Sequence, residues 1–416
     1  MKPEEINTIY SKYYASFSQP FSTIIDQVVS TKGATITTTD YSIIDLASGN
    51  FGYSHPDVIS QVKIQIEKIG LSSKIFFSEP LANLVTELSK LTNNDLTYAY
   101  PCNSPSEAVE GALKLVKGVL KKKKIIALQH SFHGHTIGAL NISGNKDIQD
   151  VVPHLIIDTC FVNHNDLNSF IKAINTKKIA AVVLETIDTS YGVTPLDMYY
   201  LKEVDRLCKK NNIILIVDES TTGMGRTGTF FSFETYGITP DIVIIGNTLG
   251  GNIFPYGVYL TKKWINDKVY KKKDPALHGG TTAGHPIGCI AALETLKVLT
   301  LEKTKKEIIT CSEVIARFLL ICKSTYPLLF GTFYSLGLLG SIKVRSSLLL
   351  NYIQQETLKM GALIRVDKLS ESGYIVLNPP LIITKEELKE GLDILLKTIE
   401  KFHTQTYEQK QYNKII

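Results

Sequence analysis

Between about residue 95 and residue 262 the chain alternates short apolar runs with longer amphipathic stretches, and this alternation constrains the fold more than any other feature. The runs are Ile125–Leu128, Ala180–Leu184, Ile213–Val217, Asp241–Ile245 and Tyr256–Leu260. They are rich in Val and Ile and apolar on both faces, as strands of a largely parallel sheet are when helices cover both sides. The stretches between them carry helical spacing; in Leu196 to Asn211, for example, Leu201, Val204 and Leu207 fall on one face. Such alternation predicts an α/β layer architecture with right-handed crossovers.

The clearest helix start is Ser104-Pro105-Ser106-Glu107. Ser at the N-cap and Glu three residues on form a capping box, and Pro at the first helical position gives up an N–H that has no helical partner. Ala108, Ala112, Leu115, Val116 and Val119 then share a face, and Lys121 to Lys124 meet the negative end of the helix dipole. That lysine run therefore reads as a helix end rather than a ligand patch. Residues 51–290 are expected to form the large, mostly parallel α/β domain. Residues 1–50 and 291–416 are expected to form a smaller α+β domain. In it, helices fall near Glu302–Leu320 and from Lys385 to about Phe402, and strands around Leu338–Val344 and Tyr374–Leu377.

A chain of 416 residues, 44% hydrophobic and 20% charged, can bury two cores, which excludes disordered, collagen-like and coiled-coil classes. The net charge of +5 comes from mixed signs along the chain, so composition makes no case for nucleic acid or a membrane surface as partner. Ser324 to Ile342 carries no charge, but Pro327, Gly331, Gly337 and Gly340 suit two short strands and a turn better than a membrane span. Six scattered cysteines without a C-x-x-C pair predict reduced thiols in a cytoplasmic setting, and the first residues show no secretory signal pattern.

Gly223, Gly225 and Gly228 have dinucleotide-loop spacing, but no helix pattern opens at the last glycine and no acid follows about 20 residues on. Gly246 to Gly251 lacks the Gly-Lys-Ser/Thr of a phosphate loop. His130, His133 and His135 lie close together without a carboxylate or cysteine to complete a metal shell, so no metal site is expected there. More telling are polar residues at strand ends: Glu185 closes one apolar run, Asp218 and Glu219 another, Asn247 a third. In open α/β sheets ligands bind beyond the carboxyl ends of the strands. Together with a helix mouth at 104–107 suited to an anion, this points to a phosphorylated, nitrogen-containing cofactor.

In order along most of the chain, the segments Asp45 to Pro56, Asn103-Ser-Pro-Ser-Glu-Ala108, Ser131-Phe-His-Gly-His-Thr136, Asp218 to Gly228, His278 to Pro286 and Asn378 to Glu387 resemble motifs of one family. That family is the class III pyridoxal-phosphate aminotransferases, which include acetylornithine, ornithine and 4-aminobutyrate enzymes. The resemblance implies a fold type I architecture, amino-group transfer to or from a small amine or amino acid, and a homodimer with shared sites. Pyridoxal phosphate, or pyridoxamine phosphate, is the implied cofactor. By similarity Asp218 would pair with the pyridine nitrogen and Phe132 would stack on the ring. The helix mouth at Ser104, Pro105 and Ser106 would face the phosphate, and Thr281 would reach it across a dimer interface. His133, Glu185, Ser220 and Thr221 complete the implied cofactor-binding set.

The pattern breaks at its centre. Asp241 to Pro255 matches the frame in which the family carries its Schiff-base lysine, yet the lysine position is Asn247. An amide nitrogen is neither a nucleophile nor a base, so any cofactor would be held non-covalently. Lys262 and Lys263 lie too far along to substitute. Pro105 removes an N–H at the phosphate end, and Thr221 is shorter than the glutamine it replaces. Val376 stands where many members grip a carboxylate with arginine, and the chain has only five arginines. The sequence therefore predicts a class III aminotransferase-family protein with impaired turnover. The alternative is an inactive pseudoenzyme serving as a binding or regulatory subunit, with itself or with an active paralogue.

Overall fold

The computed structural model describes residues 1–14, 26–71, 75–120, 122, 124–144, 158–176, 178–190, 192–246 and 248–415, with side chains described to residue 405. The chain divides into two compact units, residues 55–306 and residues 1–54 with 307–416.

The first unit is built on a seven-stranded sheet. In chain order its strands are β1 (Tyr98–Cys102), β2 (Lys124–Leu128), β3 (Thr159–Val162), β4 (Ile179–Leu184), β5 (Ile214–Asp218), β6 (Ile242–Ile245) and β7 (Gly257–Thr261). Their spatial order is β1-β7-β6-β5-β4-β2-β3. Every apolar run singled out in the sequence forms a strand, and β4 to β7 are buried along their whole lengths. The β3–β2, β2–β4, β4–β5 and β5–β6 pairs are parallel, whereas β7 runs antiparallel to both β6 and β1. Burial on both faces predicts where a strand lies, and it is silent on direction.

Two cores line the faces of this sheet. One packs helix α1 (Pro105–Val119) through Ala108, Ala112, Leu115 and Val116 against Ile125, Ile214, Ile242 and Tyr259. The other packs helix α2 (Met198–Asn211) through Leu201, Val204 and Cys208 against Val182, Leu215 and Val217. Each fully buried Leu, Ile or Val contributes about 1.5–3 kcal/mol, so these faces fix the strand ends to which the site residues belong. α2 opens on Asp197, whose carboxylate accepts from Tyr200 N at 2.9 Å, and closes on Asn212 in the left-handed region at φ 50°. Glycines set two tight approaches. A Cβ on Gly246 would lie 2.0 Å from Pro105 Cγ, and one on Gly257 would lie 2.3 Å from the Ser104 carbonyl oxygen.

The second unit holds two four-stranded sheets. In one, Ser42–Asp45 pairs in parallel with Ala362–Leu363, which ties the N-terminal segment to the C-terminal third. Asp45 ends that strand fully buried; it accepts from Ala47 N, Ser48 N and the Tyr53 hydroxyl at 2.9, 3.0 and 2.8 Å. Burial, then the Asp45 charge, pushes the Tyr53 hydroxyl up to about 12. In the other sheet Phe330–Leu336 and Leu339–Val344 form an antiparallel hairpin whose turn places Gly337 at φ 58°. The uncharged stretch is thus two strands, and among the described residues no helix is long and apolar enough to cross a membrane. The last helix, Lys385–Ile415, runs beyond the end expected from its sequence.

Candidate cofactor site

Asp218 is the last residue of β5 and is 3% exposed. Its Oδ2 lies 2.8 Å from His133 Nδ1, and its Oδ1 accepts from Ser220 N at 3.0 Å. The His133 ring is fully buried, and its backbone N–H donates to Ser143 Oγ at 3.0 Å. Loop, strand end and turn are therefore locked together at one carboxylate, with both donors aimed at it. Glu185, just past β4, is also buried; Thr189 Oγ1 donates to its Oε1 at 3.4 Å, and the Phe132 N–H donates to its carboxyl group. Burial first, then the charges of Asp218 and Asp188, drive the Glu185 carboxyl well above the ordinary carboxylate range.

Three buried polar atoms here lack a protein hydrogen-bond partner: His133 Nε2, Glu185 Oε2 and Ser220 Oγ. Buried polar atoms are ordinarily satisfied, so this grouping fits a polar ligand. Phe132, on the loop after β2, is 38% exposed and offers a ring surface; His135 packs edge-on against it with centroids 4.9 Å apart. The three clustered histidines part company. His133 turns inward to Asp218, His135 is exposed against Phe132, and His130 sits in the left-handed region at φ 66°.

Glu219 has a different task from Asp218. Its buried carboxyl accepts from Thr222 Oγ1 at 2.6 Å, Ser232 Oγ at 2.7 Å and Phe233 N at 2.9 Å, and burial raises its affinity for a proton. It pins the glycine-rich turn, in which Gly225 and Gly228 take φ of 92° and 101° and Gly225 N bonds to Phe230 O at 3.1 Å. No helix opens at Gly228. Thr221 is partly exposed, and Arg226 is wholly buried within the turn.

The mouth of α1 is more sparsely supplied. Ser104 Oγ accepts from Glu107 N at 3.1 Å, and Pro105 has no N–H. The Glu107 carboxylate does not return to Ser104 N; it accepts from Asn103 N at 2.8 Å and Asn103 Nδ2 at 2.9 Å. Ser106 Oγ accepts from His135 N at 3.3 Å. Gly134 makes this possible, since a Cβ there would lie 2.1 Å from Ser106 Oγ. Thr281 is exposed and lines a groove of about 340 Å³ with Leu71, Phe76, Tyr100 and His285.

Asn247 lies outside the described residues. Its neighbour Gly246 follows β6 at the carboxyl end. Lys262 sits at the opposite end of β6, paired with Asp241 at 3.2 Å, and Lys263 is paired with Asp267. Neither lysine serves the position that Asn247 occupies.

The residues fit a pyridoxal phosphate ring at the Asp218 end. A carboxylate fixed by two donors can hold a protonated ring nitrogen, and Phe132 can cover one ring face. At the mouth of α1, Pro105 and the Ser104 cap leave the Ser106 N–H as a donor that can face a phosphate.

Comparison with known proteins is consistent with this geometry. The model of the class-III aminotransferase family matches residues 19–399. The acetylornithine aminotransferase of Methanosarcina mazei is 32% identical over 369 residues, covering 85% of this chain and 85% of that protein. A transaminase from the marine bacterium Virgibacillus superposes with a TM-score of 0.89 at 22% identity, over 97% of this chain and 100% of that one. An ornithine aminotransferase of Toxoplasma gondii, described with partial occupancy of pyridoxal phosphate at its active site, gives 0.84 at 23% identity, over 95% and 94%. At these identities the two structures speak for the fold, which is that of pyridoxal-phosphate-dependent transaminases.

Proposed function

The chain belongs to the class III aminotransferase family, whose members depend on pyridoxal phosphate, and from that premise we propose that it binds this cofactor without a covalent tether and turns over poorly. The observation that carries the reading is the Asp218 carboxylate, buried at the end of β5 and held by His133 and Ser220. When bound, pyridoxal phosphate supplies an electron sink for the carbon that bears the amino group. Asp218 holds the proton at the ring nitrogen that makes the sink effective. His133 fixes the orientation of Asp218. Phe132 covers a ring face and excludes water from it.

Asn247 cannot move the proton that a lysine at that position would carry. Loss of a general acid–base group alone costs about 10²–10⁴-fold in rate. The substrate class supported by the family is a small amine or amino acid. We propose a homodimer in which Thr281, exposed in the single chain, serves the partner's phosphate end, and a cytoplasmic setting in keeping with six free cysteines. The sparse α1 mouth favours a second reading: a catalytically inactive subunit that binds or regulates, with itself or beside an active paralogue.

One experiment separates the two. Pyridoxal phosphate is added to the purified chain and to Asn247→Lys, and visible spectra are recorded before and after borohydride. The first reading expects a reversible cofactor signal in the native chain, and a cofactor fixed by borohydride and responsive to amino donors in the variant. Binding by neither form leaves the inactive-subunit reading. Ordinary transamination rates in the native chain would overturn both.

A further inference from the structure

At the carboxyl end of β1, apart from Asp218, three side chains of metal-ligand type converge. Cys102 closes β1 and is 1% exposed, His278 is 5% exposed, and Glu107 sits in the first turn of α1. One ligand atom from each lies within 4.8 Å of the other two. Cys102 Sγ and His278 Nε2 are 3.6 Å apart. A zinc ion about 2.3 Å from sulfur and about 2.05 Å from nitrogen, at a tetrahedral angle, sets those two atoms about 3.6 Å apart. The pair therefore already stands at ligand spacing.

The supporting groups are in place as well. Asn103 N and Nδ2 hold one oxygen of Glu107, at 2.8 and 2.9 Å. The other oxygen borders Gly280, where a Cβ would come within 3.0 Å of it. The Tyr100 hydroxyl donates to the His278 carbonyl at 2.6 Å, and the Tyr100 and Tyr259 rings flank the imidazole at 5.2 and 6.0 Å between centroids.

We propose that Cys102, Glu107 and His278 form a site for a zinc-class divalent cation, with an open fourth position, that ties the end of β1 and the start of α1 to the 278–281 segment. Lys114 competes for it. Its Nζ lies 3.2 Å from His278 Nδ1. An ammonium can only donate, so without metal the ring proton sits on Nε2, facing Cys102. Metal entry releases the Cys102 thiol proton to solvent and moves the ring proton from Nε2 to Nδ1, and the exposed Lys114 swings away.

The test uses the full chain, stripped with EDTA and without added cofactor, so it does not depend on the amino-transfer reading. Zinc should bind at about one equivalent per chain, and cobalt(II) should give a thiolate-to-cobalt charge-transfer band in the near ultraviolet. Cys102→Ser should abolish the band. Lys114→Met, on an exposed position, should tighten zinc binding roughly tenfold by removing a charged donor from His278. Cobalt binding to the native chain without the band overturns the proposal, as does zinc affinity unmoved by Lys114→Met. Because the native chain and Lys114→Met carry these readouts, a misfolded Cys102→Ser variant does not rescue it.

Discussion

At the ends of β4 and β5 the anchoring groups are each held from more than one side, whereas at the mouth of α1 the donors are largely spent on the helix itself. Asp218 receives His133 and Ser220, and Glu185 receives Thr189 and Phe132. At α1, Pro105 has no N–H, Ser104 occupies the N–H of Glu107, and Glu107 reaches back to Asn103. On the proposed reading, the difference assigns tighter recognition to the ring half of the cofactor than to its phosphate half. The ring end is organised by buried, directional bonds that no single surface change would loosen. The phosphate end relies on what is left after the helix has capped itself.

The largest effect should come from supplying the missing tether. Asn247→Lys is expected to raise amino transfer by about 10²–10⁴-fold, measured as single-turnover conversion of an amino donor. An unchanged rate would mean that the ring end does not position the cofactor for chemistry. Next is Asp218→Asn, which removes a charged hydrogen bond worth about 1.5–3 kcal/mol. Pyridoxal phosphate affinity, read by equilibrium dialysis, should fall about ten- to a hundredfold. Pro105→Gly tests the other end. It restores an N–H to the phosphate side, a gain offset by about 0.5–1 kcal/mol of added chain flexibility, and should tighten cofactor binding about threefold to tenfold. If this gain exceeded the Asp218→Asn loss, the contrast between the two ends would be inverted.

The smallest effect is in the pH dependence of stability. Glu185 has its proton affinity raised in the fold, so the folded state binds more protons than the unfolded chain above the ordinary value of 4.5. The stability it contributes is present below that value and is lost as pH rises through the raised one. Glu185→Gln, which mimics the protonated form, should flatten that decline in denaturant titrations across pH. A decline equally steep in the variant would place the titrating group elsewhere.

Much of this was legible in the sequence because buried strands declare themselves by apolar runs, and in this fold chemistry sits where those runs end. Glu185 and Asp218 were visible for that reason. The edge strands were not, since Tyr98–Cys102 contains Pro101 and Thr159–Val162 is only four residues long. Nor was the direction of β7, because pairing sense leaves no trace in hydropathy. The Ser104 cap was readable from local spacing, but the choice of Asn103 by Glu107 depends on the loop conformation ahead of the helix. Cys102 and His278 are 176 residues apart, and their meeting goes with the packing of His278 against Tyr100 and Tyr259 of the paired strands β1 and β7.

The most direct test of the account is the protonation state of the ring nitrogen. Pyridoxal phosphate labelled with nitrogen-15 in the ring, bound to the native chain, should give the chemical shift of a pyridinium, and Asp218→Asn should move it toward neutral pyridine. A neutral ring nitrogen in the native complex, or a signal from free cofactor alone, would contradict the account.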